Sequence, residues 1–389
     1  MDRKFHQTVE FVLSAQSTLG IDQYIPHKGF EFIMFRLLAL SILISIFLVA
    51  FQTATLHPSP TISSGEPMPE ISYEAIQIKL EGFIQRIHDP VIAHENNKYF
   101  IFSTGKRIPF ICSEDMVTWE FCGSVFDRNP NWTREINPNL IDIWAPDISY
   151  FNNRWHLYYA VSTFGSQNSA IGLATNLTLD PDHPDYQWVD QGEVLRSQPG
   201  DPWNAIDPNL VMDEDDQTWL VWGSFWSGIW MRKVDPTTGK FAGDDTTNYH
   251  LADRSPGPDN TTAIEAPFIV QRGGMWYLFV SFDQCCQGVN STYNVRVGRS
   301  NTLTGPYVDR DDVPLTEGGG TLILSEYGQW KGPGHNGILV EDNIYWMVYH
   351  AYDANQIGIP KLRIESIGWD ADGWPSMPSQ MQQLFFVDL

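Results

Sequence analysis

Three carboxylates in this chain stand beside prolines at the head of similar segments. Asp89 and Asp207 directly precede Pro90 and Pro208, and Glu265 lies two residues before Pro267. The segments read I-H-D-P-V-I-A from Ile87, A-I-D-P-N-L-V-M from Ala205 and I-E-A-P-F-I-V from Ile264. Carboxylates held at different pKa values do paired acid/base work: one protonates a departing oxygen while another activates a water or attacks, as in cleavage of a glycosidic bond. A third negative charge nearby is a direct way to keep the acid protonated. An isolated Asp-Pro more often just opens a turn. The shared setting changes that reading, because each segment runs into an apolar strand and then an aromatic partner strand such as Y-F-I-F, W-L-V-W or W-Y-L-F.

Two further segments have the same shape, I-W-A-P-D-I-S-Y from Ile143 and G-P-G-H-N-G-I-L from Gly332, and the five recur at a period of about 60 residues. A fixed period of this size, with strand pairs inside each unit, marks stacked or radially arranged modules. About 60 residues suffice for four short antiparallel strands, and five such units closing around an axis make an all-β, five-bladed β-propeller with few exposed sheet edges. Residues of equal phase then meet near the axis, which brings Asp89, Asp207 and Glu265 into one pocket. Asp147 follows its proline, out of phase with the other aspartates, and is expected to cap a turn.

The 389 residues are 42% hydrophobic and include 15 Trp, most of which are expected in the core of stacked sheets. A net charge of -23 excludes nucleic acid and anionic membrane surfaces as partners and suits a neutral substrate. Residues 1–33 read as an extension that is not translated if Met34 is the true start. Residues 34–56 then form a signal peptide or signal anchor around the apolar run Leu37 to Phe51, which is short for a membrane span. A membrane contact is expected only if that run stays attached. Residues 57–80 read as a linker and 81–389 as the propeller. Sequons at Asn131, Asn176, Asn260 and Asn290 fit a secreted, extracellular glycoprotein. Cys112 and Cys122 flank a hairpin and are either bridged or free, while adjacent Cys285 and Cys286 can close only a vicinal disulfide.

In this order and spacing, H-D-P, W-A-P-D, N-A-I-D-P-N, I-E-A-P and G-P-G-H-N resemble glycoside hydrolase family 43, the five-bladed propeller enzymes of arabinan and xylan. S-T-F-G-S-Q-N-S-A-I-G-L-A-T from Ser162, G-S-F-W from Gly223 and C-C-Q-G-V-N-S-T-Y from Cys285 are most similar to its arabinanases. The resemblance implies an inverting mechanism. Asp89 matches the general base, Glu265 the general acid, and Asp207 the residue that raises and orients the acid. His335 matches a histidine that helps hold a hydrated calcium ion at the axis. Substrate contacts are expected from Trp144, Gly165, Asn204, Ser224, Phe225 and Trp226, with the two tryptophans as stacking platforms for furanose rings. The activity implied is endo-cleavage of α-1,5-linked arabinan, the neutral side chain of pectin. A monomer is expected, working at mildly acidic pH because the base must be ionised while Glu265 stays protonated. The alternatives are an exo-acting arabinofuranosidase or β-xylosidase, or a sugar-binding propeller without catalysis.

Overall fold

The computed structural model describes residues 77–254 and 262–380. The expected extension, the 34–56 apolar segment and the Asn260 sequon lie outside the described residues. No helix among the described residues is long and apolar enough to cross a membrane.

Apolar and aromatic residues at alternating positions make strands, and turns such as Asn96–Asn97 and Asn152–Asn153 close the hairpins between them. A short β1 (Glu81–Gly82) precedes the first blade, formed by β2 (Val91–Glu95), β3 (Lys98–Phe102), β4 (Pro109–Ser113) and β5 (Thr118–Ser124). The second blade is β6 (Trp144–Phe151), β7 (Arg154–Val161), β8 (Ser169–Asn176) and β9 (Val189–Ser197). The third is β10 (Asn209–Met212), β11 (Thr218–Trp222) and β12 (Ile229–Asp235), with β13 (Lys240–Phe241) and β14 (Tyr249–Ala252) both pairing β12. The fourth is β15 (Ile264–Arg272), β16 (Met275–Phe282), β17 (Asn294–Ser300) and β18 (Thr321–Leu324). The fifth has β19 (Trp330–Glu341), β20 (Ile344–Asp353) and β21 (Ile359–Ser366). Every blade is an antiparallel meander running outward from its first strand.

Among the described residues the fifth blade has no outer strand of its own, and the start of the described chain supplies one. Gln77 and Gln85 bridge Glu365 and Lys361, Arg86 N donates to Pro360 O at 2.7 Å, and Leu362 N donates to Ile84 O at 2.9 Å. The same stretch carries β1, parallel to β5 of the first blade. It thus ties the last blade to the first and covers both edges. Residues 77–80, read above as linker, therefore belong to the propeller: Leu80 is buried, and its transfer from water favours the closed ring.

Five apolar clusters fill the spaces between successive blades. One joins the first and second blades through Phe100, Phe102, Leu157 and Tyr159, and another closes the ring through Ile101, Trp119, Val348 and Leu362. The tryptophan-rich composition is spent mainly there, as with fully buried Trp119 and Trp222.

Both cysteine pairs are bridged, Cys112 to Cys122 across β4 and β5 and Cys285 to Cys286 in the loop after β16. Asn131 and Asn290 are exposed. Asn176 is not: it is buried at the end of β8, and its Oδ1 accepts from Leu177 N and Gln187 N, so its side chain is spent on the fold rather than offered to a glycan.

Candidate active site

One left-handed residue per blade sets up the site. Asp89, Ala145, Asp207, Ala266 and His335 have φ of 50°, 43°, 55°, 54° and 51°. In the first four blades a proline follows, and having no N–H it sacrifices no ladder bond at this kink. In the fifth blade Asn336 takes that place, so the in-phase residue is His335, and Pro333, which marks the fifth segment in the sequence, lies outside the phase. Ladder register breaks at these points in β6, β15 and β19. Such bulges re-aim side chains, and Asp and His tolerate αL better than Ala does.

The kink aims one or two residues per blade at the axis. His88 and Asp89, Trp144, Ile206 and Asp207, Glu265, and His335 all line one cavity of about 580 Å³. Gly165, Asn204, Ser224, Phe225 and Trp226 line it too, so every residue expected at the site comes together. Trp226 and Phe164 are exposed at its rim. Asp147 is not there. Its carboxylate accepts from Leu210 N at 2.8 Å and Asn209 Nδ2 at 3.2 Å, pinning the second blade to the third. Burial pushes Asp147 up to about 7, against those two hydrogen bonds.

The three cavity carboxyls are tuned in opposite directions. Burial alone would raise Asp89, but His88, His335 and His350 outweigh it and hold the carboxylate well below its ordinary range. His88 Nδ1 lies 2.8 Å and His335 Nδ1 3.2 Å from Asp89 Oδ1, and Thr104 Oγ1 donates to Oδ2 at 2.6 Å. Glu265 is raised, first by burial and then by the Asp89 charge. It accepts from Ser224 Oγ at 2.7 Å and Tyr293 Oη at 2.8 Å. Asp207 is raised well above its ordinary value by burial, then by Glu265 and Asp89, while Ala266 N donates to its Oδ2 at 3.0 Å. An ionised carboxylate and a proton-holding pair thus share one buried pocket, the division that acid/base catalysis requires.

Several partners were not singled out in the sequence. His88 sits inside the quoted H-D-P and could have been read there. Thr104 and Ser281, together with Ser224, whose role here differs from the one expected, follow a pattern visible only in three dimensions: each lies within two residues of the end of a blade's second strand. Thr104 Oγ1 accepts from Ala145 N of the next blade, Ser224 donates to Glu265 of the next, and Ser281 Oγ accepts from His335 N of the next. Ser224, expected as a substrate contact, has its hydroxyl committed to Glu265. Gly334 must be glycine for space, since a Cβ would lie 2.1 Å from the Tyr293 ring. The vicinal disulfide lines the cavity, where Cys286 N donates to Tyr352 Oη at 2.8 Å and that oxygen lies 2.7 Å from His88 Nε2.

Fold and site define a propeller glycoside hydrolase. Residues 83–375 match the family model described as glycosyl hydrolases family 43. The chain is 44% identical over 295 residues to an extracellular endo-alpha-(1->5)-L-arabinanase of Bacillus subtilis, covering 75% of this chain and 87% of that protein. It is 39% identical over 298 residues to an extracellular exo-alpha-(1->5)-L-arabinofuranosidase of Cellvibrio japonicus, with 75% and 86% covered. The solved GH43 endo-arabinanase of Bacillus licheniformis superposes with a TM-score of 0.71 at 45% identity, over 77% of this chain and 99% of that one. The chain belongs to glycosyl hydrolases family 43.

Proposed function

We propose that the protein is a secreted endo-arabinanase that cleaves internal α-1,5-L-arabinofuranosidic bonds by inversion. The observation that carries this reading is the opposite tuning of Asp89 and Glu265 within one axial cavity. Asp89 takes a proton from a water as that water attacks the anomeric carbon. Glu265 gives its proton to the leaving oxygen as the C–O bond breaks. Asp207, beside Glu265, adds negative potential that keeps the proton on the pair. Trp144, Phe225 and Trp226 offer apolar faces to furanose rings, and Asn204 and the Gly165 turn complete the wall. A relative solved with arabinohexaose, at 38% identity and a TM-score of 0.72, supports an oligosaccharide-sized site. Secretion is supported by the extracellular relatives and by two disulfides, which persist in oxidising compartments.

Calcium belongs to the same proposal. His88, Asp89 and His350 bring ligand atoms within 4.8 Å of one another, but two imidazoles and one carboxylate are not the oxygen-rich set that calcium takes directly. A hydrated ion fits better. His335 is the residue that would hold it, and next to it the amide of Asn336 is buried with neither its oxygen nor its nitrogen bonded to protein, polar capacity suited to ordered water. The ion would supply positive potential near the axis.

Product analysis on linear α-1,5-arabinan tests the reading. A ladder of short oligosaccharides from the wild type and none from Glu265→Ala is the expected result. Arabinose as the sole early product would favour exo action, the mode of the Cellvibrio relative named above. No reaction on arabinan or xylan would leave a binding propeller.

A further inference from the structure

A second pocket, of about 520 Å³, opens on the catalytic face and is unlike the rest of this chain in charge. Its lining includes Lys106, Arg107, Arg128 and Arg134, four of only 24 basic residues, with Asp127 the single carboxylate among them. Among the described residues none of these four cations forms an ion pair. Glu135, next to Arg134, is turned instead to Arg196. Arg107 Nε is buried without any hydrogen-bond partner, and Arg107 Nη1 donates only to the backbone oxygen of Asp127 at 3.0 Å. In a protein of net charge -23, unpaired cations converging on a half-buried guanidinium are poised for an anion.

The backbone supports a dedicated role. Arg107 and Ile108 both have left-handed φ, 64° and 59°, and a fully buried β-branched residue holds that conformation only at a cost. The loop that carries them includes Thr104, which donates to Asp89 and lines the catalytic cavity. Asn137 of the basic pocket donates to Ser162 O at 3.0 Å, and Ser162 lines the catalytic cavity. The two pockets are therefore neighbours, joined through the 103–108 loop and the Asn137–Ser162 hydrogen bond, with no lining residue in common.

We propose that this pocket binds uronate carboxylates of the acidic polysaccharide that carries the neutral side chain being cut. The inference rests on the arabinan reading. A neutral arabinan chain occupies the axial cavity while a galacturonate of the pectic backbone meets Arg107, Arg128 and Arg134. Arginine forks match carboxylate geometry.

The test is calorimetric titration of the full-length protein with trigalacturonate, alongside hydrolysis of neutral linear arabinan. The protein is made in a host without N-glycosylation, because exposed Asn131 lines this pocket and heads a sequon. Arg128→Gln/Arg134→Gln, both at exposed positions, avoids disturbing the partly buried Arg107. The wild type is expected to bind trigalacturonate, and the double variant to bind it about tenfold more weakly with hydrolysis of neutral arabinan unchanged. No binding by the wild type, or equal binding by the variant, overturns the inference. Failure of the wild type to cut neutral arabinan overturns the substrate reading instead, so the two failures are distinguishable.

Discussion

His88 and Asp89 are sequence neighbours whose side chains meet, Nδ1 to Oδ1 at 2.8 Å, where an extended strand would point them apart. The left-handed φ of 50° at Asp89 turns both toward the axis. Behind them the His88 ring stacks on His350 at 3.8 Å, and Tyr352 holds its far nitrogen. The carboxylate assigned as base is thus fixed by a partner supplied by the residue next to it, just ahead of β2.

That pairing sets the acidic limb of activity. His88 is raised: burial lowers it, but the charge of Asp89 and their hydrogen bond more than compensate. With its cation present, Asp89 stays ionised below the ordinary carboxylate range near 4. His88→Asn removes the cation, so the pKa of Asp89 rises. The acidic limb of kcat/KM should move to higher pH in the variant, measured on arabinan from pH 3 to 8; an unmoved limb would show that His88 does not tune the base.

On the other limb, Ser224 and Tyr293 donate to Glu265 and so favour its ionised form. Ser224→Ala should raise the pKa of Glu265 further and shift the alkaline limb upward. Loss of orientation should lower kcat about tenfold with KM little changed. Gly334→Ala, which crowds Tyr293, should lower kcat in the same way.

Asp147 should prove structural. Asp147→Ala leaves Leu210 N and Asn209 Nδ2 buried without acceptors, at a cost of about 2–5 kcal/mol. Urea unfolding should show that loss, while the fraction that remains folded keeps its kcat.

Chelation tests the ion. Exhaustive treatment with EDTA should lower kcat, and added calcium should restore it; His335→Ala should be low in activity and unresponsive to calcium. Full activity in metal-free wild type would remove the ion from the account.

Much of this architecture was legible in the sequence because a propeller repeats its physics. The Pro-headed segments revealed four blades in phase and named Asp89, Asp207 and Glu265. The fifth phase was legible at His335 but not through its proline: Pro333 heads the segment, yet the kink belongs to His335, with Asn336 where the other blades have proline. Asp147 looked like a turn cap because its role depends on the neighbouring blade, as do those of Thr104, Ser224 and Tyr293. Ring closure by residues 77–86 was hidden for a related reason, since its pairing partners lie nearly 300 residues away and short strands leave little periodicity to read.

The central claim is that a water activated by Asp89 displaces the leaving sugar as Glu265 protonates it. Proton NMR of the first products from α-linked arabinan tests this most directly. The account predicts that the newly formed reducing end appears first as the β-anomer and only later mutarotates. Initial release of the α-anomer would mean retention through a covalent intermediate, and would contradict the assignment of Asp89 as a base.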